Sequence, residues 1–401
     1  MKGHRRFLLW LGMTLSAAGL ARSILSTALP YIQRSFALGE EDVARIGVWF
    51  ALSQLLIVPG TWLADRYGHR RVHVAALVVF PPLAFGAALA HSLVPFVALQ
   101  LGMRVCAGLF LTLSSVLIVR FVPAERRGKA QALFLATAGI GDGLLAAALP
   151  LVAARDDGWR YAFVAAGLLG VWAGLRVGPR LPHVPPDAPR AGAGRQPLPP
   201  HLVVVLAFLV AVHFLVAIVD GPVSSYTAYH ALGTLHLTPR AAGRMVVWGG
   251  ILSIVAGVLG GNLIDRLGAR AVAVVAVVAR AIAVASFFSN TGHPHTLEAV
   301  AYFAVISAAG SIGGAALVNL TLDAVPDAWR GRAAGAVRTG STAGVLAATF
   351  VVAALVPTYG IAGSVVQLTR AALVTPLLLL VLPRWRPHPA PPAEAVGAEA
   401  A

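Results

Sequence analysis

The sequence predicts an all-α membrane protein: twelve transmembrane helices in two pseudo-symmetric six-helix bundles. Three observations predict it. The 401 residues are 58% hydrophobic and only 12% charged, where a soluble domain carries about 25% charged residues. Apolar runs long enough to cross a bilayer recur along the whole chain, separated by charged turns. Two patterns at the ends of these runs return about 200 residues later.

Helices are the expected element because backbone groups in lipid must find partners within their own segment. A transmembrane barrel would show alternation rather than continuous apolar runs. Mean hydropathy of +0.79 argues against a soluble enzyme, and the composition excludes disordered, collagen-like and disulfide-stapled classes. A pI near 11.3 would suggest nucleic acid on a soluble protein. Here the basic residues read as cytoplasmic loops, and no nucleic-acid partner is expected. The single cysteine, Cys106, lies in an apolar run and reads as a small buried hydrophobe.

The first span, 7–31, follows Lys2, Arg5 and Arg6. Its apolar stretch continues to about Ile32 without a small-residue cleavage site, so an uncleaved span is expected rather than a signal peptide. Spans 44–64, 72–92, 95–119, 130–154 and 159–177 complete an N-terminal bundle over residues 1–177. Residues 178–200 hold eight prolines and are too polar and broken to span, which makes them a cytoplasmic linker. Spans 201–229, 241–264, 271–290, 296–322, 333–356 and 361–382 form a second bundle over 201–383, followed by a tail, 384–401. Of the Lys and Arg residues in the loops and at the span ends, twenty fall on one side and six on the other. That bias places both termini and the linker in the cytoplasm and the protein in the cytoplasmic membrane.

The halves repeat. Leu63-Ala64-Asp65-Arg66-Tyr67-Gly68 returns as Leu263-Ile264-Asp265-Arg266-Leu267-Gly268, and Pro123 through Arg127-Gly128-Lys129-Ala130 as Pro326 through Arg330-Gly331-Arg332-Ala333. Duplicated six-helix units with a site between them are a transporter pattern.

On these residues the chain resembles the major facilitator superfamily. Asp265-Arg266-Leu267-Gly268-Ala269-Arg270 matches the superfamily's loop signature, and so does Asp65-Arg66-Tyr67-Gly68-His69-Arg70, with Thr61 at the usual glycine position. The resemblance implies a conformational role for Asp65, Arg66, Arg70, Asp265, Arg266 and Arg270, with the Asp able to cap a helix end and the Arg to meet neighbouring termini. The first half is most similar to the anion:cation symporter family. Arg22 through Pro30, Phe50 through Asp65, Arg104 through Gly108 and Gly158-Trp159-Arg160 carry that likeness. One departure is the lack of an acid from Leu109 to Leu113. Arg104 with Gly108 is also similar to a signature of proton-coupled drug exporters.

Ionised groups inside a bilayer need a partner or a water-filled cavity. Within the spans lie Arg22, Arg104, Arg280, Arg338 and Arg370 against Asp142 and Asp220, with His213. A positive surplus would attract an anion. Arg22, Ser26 and Pro30 share a helix face, and the superfamily's first span lines its central cavity. Arg22, Ser26 and Arg104 are therefore the expected substrate ligands. Asp142, His213 and Asp220 are the expected proton-coupling groups, and Gly139 and Gly143 a close helix contact. An Arg22–Asp220 pair is an expected outer gate. Arg280 and Arg370, in spans that the superfamily keeps peripheral, read as snorkelling or structurally paired cations.

His69 and His73 are one turn apart with no third ligand, so no metal is expected. No phosphate-cradling loop and no nucleophile–base pair is present, so neither a cofactor nor enzymatic activity is expected. The expected function is secondary active transport of a small organic solute, with an anion favoured, coupled to H+, by a monomer. The alternatives are a proton-coupled drug exporter and a non-transporting membrane receptor on the same fold.

Overall fold

The computed structural model describes residues 12, 28–122, 157–181, 200–292, 296–325 and 330–381. Residues 28–35 are the helical end of the first span. The second span is split into α1 (Glu40–Leu52) and α2 (Ile57–Tyr67). Next come α3 (His69–Leu89), α4 (Leu93–Phe121) and α5 (Arg160–Val177), the third, fourth and sixth spans. The second half runs α6 (Pro200–Tyr229), α7 (Pro239–Leu267), α8 (Ala269–Ser289), α9 (Thr296–Asp323), α10 (Arg330–Ala371) and α11 (Val374–Val381). Ten of the twelve predicted spans are thus accounted for; the fifth, 130–154, and most of the first lie outside the described residues.

Eight helices among the described residues are long and apolar enough to cross a membrane, and one of them, Ala333–Val381, holds two crossings because the backbone breaks at Gly360. The second span differs from the single rod expected over 44–64. Between its halves the ladder tightens to i→i+3 bonds, from Gln54 N to Ala51 O through Ile57 N to Gln54 O. Two causes act there. Pro59 cannot donate, and its ring crowds the carbonyl of Leu55; Ser53 Oγ donates to the Phe50 carbonyl at 2.6 Å.

The repeat in the sequence is a repeat in backbone geometry. Gly68 and Gly268 end α2 and α7 with φ of +95° and +82°, a region that only glycine enters without strain. Each donates its N–H four residues back, to Ala64 O at 2.9 Å and Ile264 O at 2.8 Å, and each accepts from the residue four ahead, Val72 and Val272. The same glycine turn therefore joins the second span to the third and the eighth to the ninth. Glycine itself stands at the N-cap of α3 and of α8.

In the first half α3 packs against α4 and α5; in the second α6 packs along α10, and α9 against α7 and α8. Phe80, Phe96, Phe110, Trp159 and Phe163 fill the first core. Leu89, Val94, Leu175, Val258 and Leu297 are over 70% exposed, an apolar exterior suited to lipid rather than water. The halves meet at the end that carries the 36–39 turn, where Leu29, Val43 and Ala44 share a core with Val219, Val223, Tyr226 and Val352.

Candidate transport pathway and coupling residues

The seventh span, α6, carries His213 and Asp220 two turns apart on one face. Both side chains turn into their own half. The Arg280 guanidinium, from α8, forms an ion pair with the Asp220 carboxylate. It reaches Asp220 across α9 at Gly310, where a Cβ would stand only 3.1 Å from the guanidinium carbon. The pair borders a cavity of about 50 Å³ lined also by Gly313, Gly314 and Thr375. Asp220 is thus engaged from its own half; Arg22, its expected gate partner, lies outside the described residues. The physical reason is desolvation: a cation on the ninth span lowers its energy most by reaching the nearest buried carboxylate.

His213 Nε2 lies 3.2 Å from Thr321 Oγ1. The Thr321 hydroxyl donates to Leu317 O at 2.9 Å, so its oxygen is left to accept from an Nε2–H of His213. This bond holds α6 against α9.

In the first half, the Arg104 guanidinium lies 4.7 Å from the centroid of the Phe50 ring, joining α4 to α1 by a cation–π contact. Arg22, Ser26, Asp142, Gly139 and Gly143 lie outside the described residues. The other predicted residues stand at the helix ends. Arg66 is exposed and stacks at 5.6 Å on Trp62 and 5.8 Å on Tyr67. Arg70 Nη2 donates to Pro179 O at 3.5 Å, where α5 ends in a short 3₁₀ turn. Asp265 and Arg266 are exposed, and Arg270 is half-buried. Asp65 is in the last turn of α2. His69 and His73 are buried, His73 stacked on Phe110 at 5.4 Å, and no group of three metal-ligating side chains occurs among the described residues.

Sequence reasoning missed two clusters at the opposite end. Ser35 Oγ donates to Asp157 Oδ1 at 2.8 Å and accepts from Trp159 Nε1 at 2.8 Å. Arg160 pairs with Asp157 at 3.4 Å and donates to the Ala88 and Ala90 carbonyls, which close the end of α3. Together they tie the first, third and sixth spans. The Gly158-Trp159-Arg160 motif was the available signal. The other missed group, Gln33, Glu40 and Tyr229, joins the two halves; three acids opening a helix gave no hint of it.

Comparison with known proteins accords with this geometry. A sequence profile of the Major Facilitator Superfamily matches residues 11–232 and again 209–401. The chain belongs to the major facilitator superfamily. No curated protein matches it in sequence. Among solved structures, a bacterial homologue of the human lysosomal transporter Spinster, inward-facing and unoccupied, aligns with TM-score 0.74 at 14% identity, covering 96% of this chain and 99% of that one. The inward-open xylose transporter XylE of E. coli aligns with TM-score 0.74 at 17% identity, covering 97% and 98%. The human organic anion transporter MFSD10 aligns with TM-score 0.71 at 16% identity, covering 94% and 99%. These likenesses show the fold, a multi-pass bundle of major facilitator type.

Proposed function

We propose that this major facilitator protein is a proton-coupled secondary transporter of a small organic anion, working as a monomer in the cytoplasmic membrane by alternating access. The observation that carries the reading is the charge inside the spans. Asp220 is balanced by Arg280, and Arg338 and Arg370 are exposed, which leaves Arg22 and Arg104 against Asp142. Two cations against one acid leave these span residues formally positive, and a positive, low-dielectric cavity concentrates anions. The organic anion transporter among the similar structures supports the substrate class, and a D-xylose-proton symporter that aligns with TM-score 0.73 at 17% identity supports the coupling ion.

In this reading Arg22 offers its planar fork to a carboxylate, with Ser26, one turn on in sequence, and Arg104 as further ligands. On the same reading Asp142 and Asp220 take up the driving proton, with His213 two turns from Asp220 on α6. Protonation of Asp220 would cancel its attraction for Arg280 and loosen α6 from α8, a packing change that can travel to the rest of the half. With both termini cytoplasmic, the joined end is the outer one and the conformation is inward-facing.

The test is counterflow in proteoliposomes, over a panel of organic anions, sugars, amino acids and cationic dyes. Arg22→Ala is expected to lower uptake of the anion by about tenfold or more, as loss of a charge-assisted bidentate pair would. Arg22→Lys should recover little of it, because the charge returns without the fork. Full activity in both variants, or uptake of cationic dyes alone, would overturn the anion reading in favour of a drug exporter.

A further inference from the structure

The first turn of α1 carries three consecutive acids, Glu40, Glu41 and Asp42, and each is used differently. Asp42 turns back on its own helix, its Oδ2 accepting from the Gly39 N–H at 3.2 Å. Glu41 pairs with Arg45 one turn on, at 3.3 Å. Glu40 points into the other half of the molecule. Its Oε2 accepts the backbone N–H of Ile361 at 3.2 Å, and its Oε1 accepts the Tyr229 hydroxyl at 3.2 Å. Gln33 Nε2 donates to Tyr229 Oη at 3.5 Å and to the Leu38 carbonyl at 3.0 Å. The chain of bonds from Gln33 through Tyr229 and Glu40 to Ile361 crosses between the halves at each step.

The position of the carboxylate follows from what the twelfth span lacks. The chain turns out of the eleventh span at Gly360, with φ +64° and ψ 177°, so that a new helix begins at Ile361. The first N–H groups of a helix have no partner within it and are ordinarily met by a Ser, Thr, Asp or Asn at the N-cap. Glycine occupies that position here and has no side chain to offer. The helix takes its cap from Glu40, across the interface, and the negative charge also suits the positive end of the helix dipole. Space for it depends on the glycine too, since a Cβ on Gly360 would lie 3.2 Å from Glu40 Oε2.

We propose that Glu40 is a gating residue, an inter-half helix cap that holds this end of the molecule shut and is released each time the halves part. The proposal rests on the alternating-access reading above. The apolar seam of Val43, Ala44, Val219, Val223 and Tyr226 favours closure without fixing a register. The Glu40 bonds are directional and fix it. They are also reversible, because water entering between the parted halves can satisfy both the carboxylate and the Ile361 N–H.

The experiment places a single reporter cysteine at Ala44, 1% exposed in the seam, in a Cys106→Ala background, and follows its labelling by an impermeant maleimide. Glu40→Ala is expected to raise the labelling rate about tenfold, in line with loss of hydrogen bonds to a charged group. Glu40→Gln, which keeps an acceptor but not the charge, should fall between. Gly47→Trp serves as an independent wedge, because even a Cβ at Gly47 would stand 2.8 Å from Tyr226 Oη. A cysteine at Ala166, fully buried in the first core, reports unfolding. Fast labelling in the wedge variant with unchanged labelling in Glu40→Ala would overturn the gate and leave alternating access standing. Unchanged labelling in both would overturn the alternating-access reading and the gate with it. A rise at Ala44 matched by a rise at Ala166 would mean unfolding, and would overturn the gate as well.

Discussion

Asp157 shows how much a single residue can join. It has φ of +57°, a conformation that Asp tolerates better than most side chains, and it gathers Ser35, Trp159 and Arg160 around one carboxylate. The Ser35 hydroxyl first, and then the Arg160 guanidinium, hold that carboxyl below the usual carboxylate range. Its folded pKa is lower than its unfolded value of about 3.9, so the stabilisation is complete above that value and is lost as pH falls through the folded pKa. This contribution to the protein's melting temperature should therefore be lost as pH falls below about 4, and less of it should be lost in Ser35→Ala, which removes the leading contact. Melting curves of detergent-solubilised protein across that range check it; equal slopes would show that the Ser35 bond does not hold the carboxyl down. The residues of this cluster stand plainly in the sequence, yet Ser35 and Asp157 are 122 positions apart, and nothing local announces their meeting.

At the scale of elements, the Asp220–Arg280 pair binds α6 to α8. Two lone charges would each be costly in this environment, whereas the pair is tolerable, and its energetics are those of a buried salt bridge. Removing one partner strands the other, at about 3–5 kcal/mol for a fully buried pair and less here, where the Asp220 side chain is 42% exposed, while replacing both by apolar residues is often neutral. Arg280→Met and Asp220→Leu should each lower the melting temperature markedly, and the double variant should recover most of the loss. Additive losses in the double variant would show that the two charges do not stabilise one another. Periodicity and charge locate both residues within spans, and Arg280 is legible as a paired cation. Its partner is not legible, because the choice depends on Gly310 opening a path across α9. The break in the second span is a similar case: Pro59 is visible, but whether a proline bends a helix or merely interrupts its ladder depends on Ser53 and on the helices packed around it.

For the whole molecule, the basic bias predicts that 178–200 faces the cytoplasm and that the turn at Gly292 faces out. Single cysteines at Gly192 and Gly292 in a Cys106→Ala background test this in intact cells. The impermeant reagent should label position 292 and leave 192 unlabelled until the cells are opened. Labelling of 192 from outside would reverse the topology, and with it the assignment of the joined end as the outer one. The seam between the halves is built largely from α1, α6 and α10, three elements far apart in sequence that only the duplicated architecture brings to one end.

The sequence by itself determined the class, the repeat and the positions of the ten spans among the described residues. These follow from local rules: an apolar run of sufficient length must be helical in lipid, and a glycine with positive φ recurs wherever the Asp-Arg-x-Gly turn recurs. Gly68 and Gly268 adopt nearly the same backbone because each turn needs a residue without a Cβ, a requirement readable from four residues. Partnership is not local. Which cation meets Asp220, which acid caps Ile361 and which end of the bundle is joined were decided by tertiary structure alone. A charge in a low-dielectric interior goes to whatever the packing brings within a few ångströms, and packing is a property of the assembled helices rather than of any one of them.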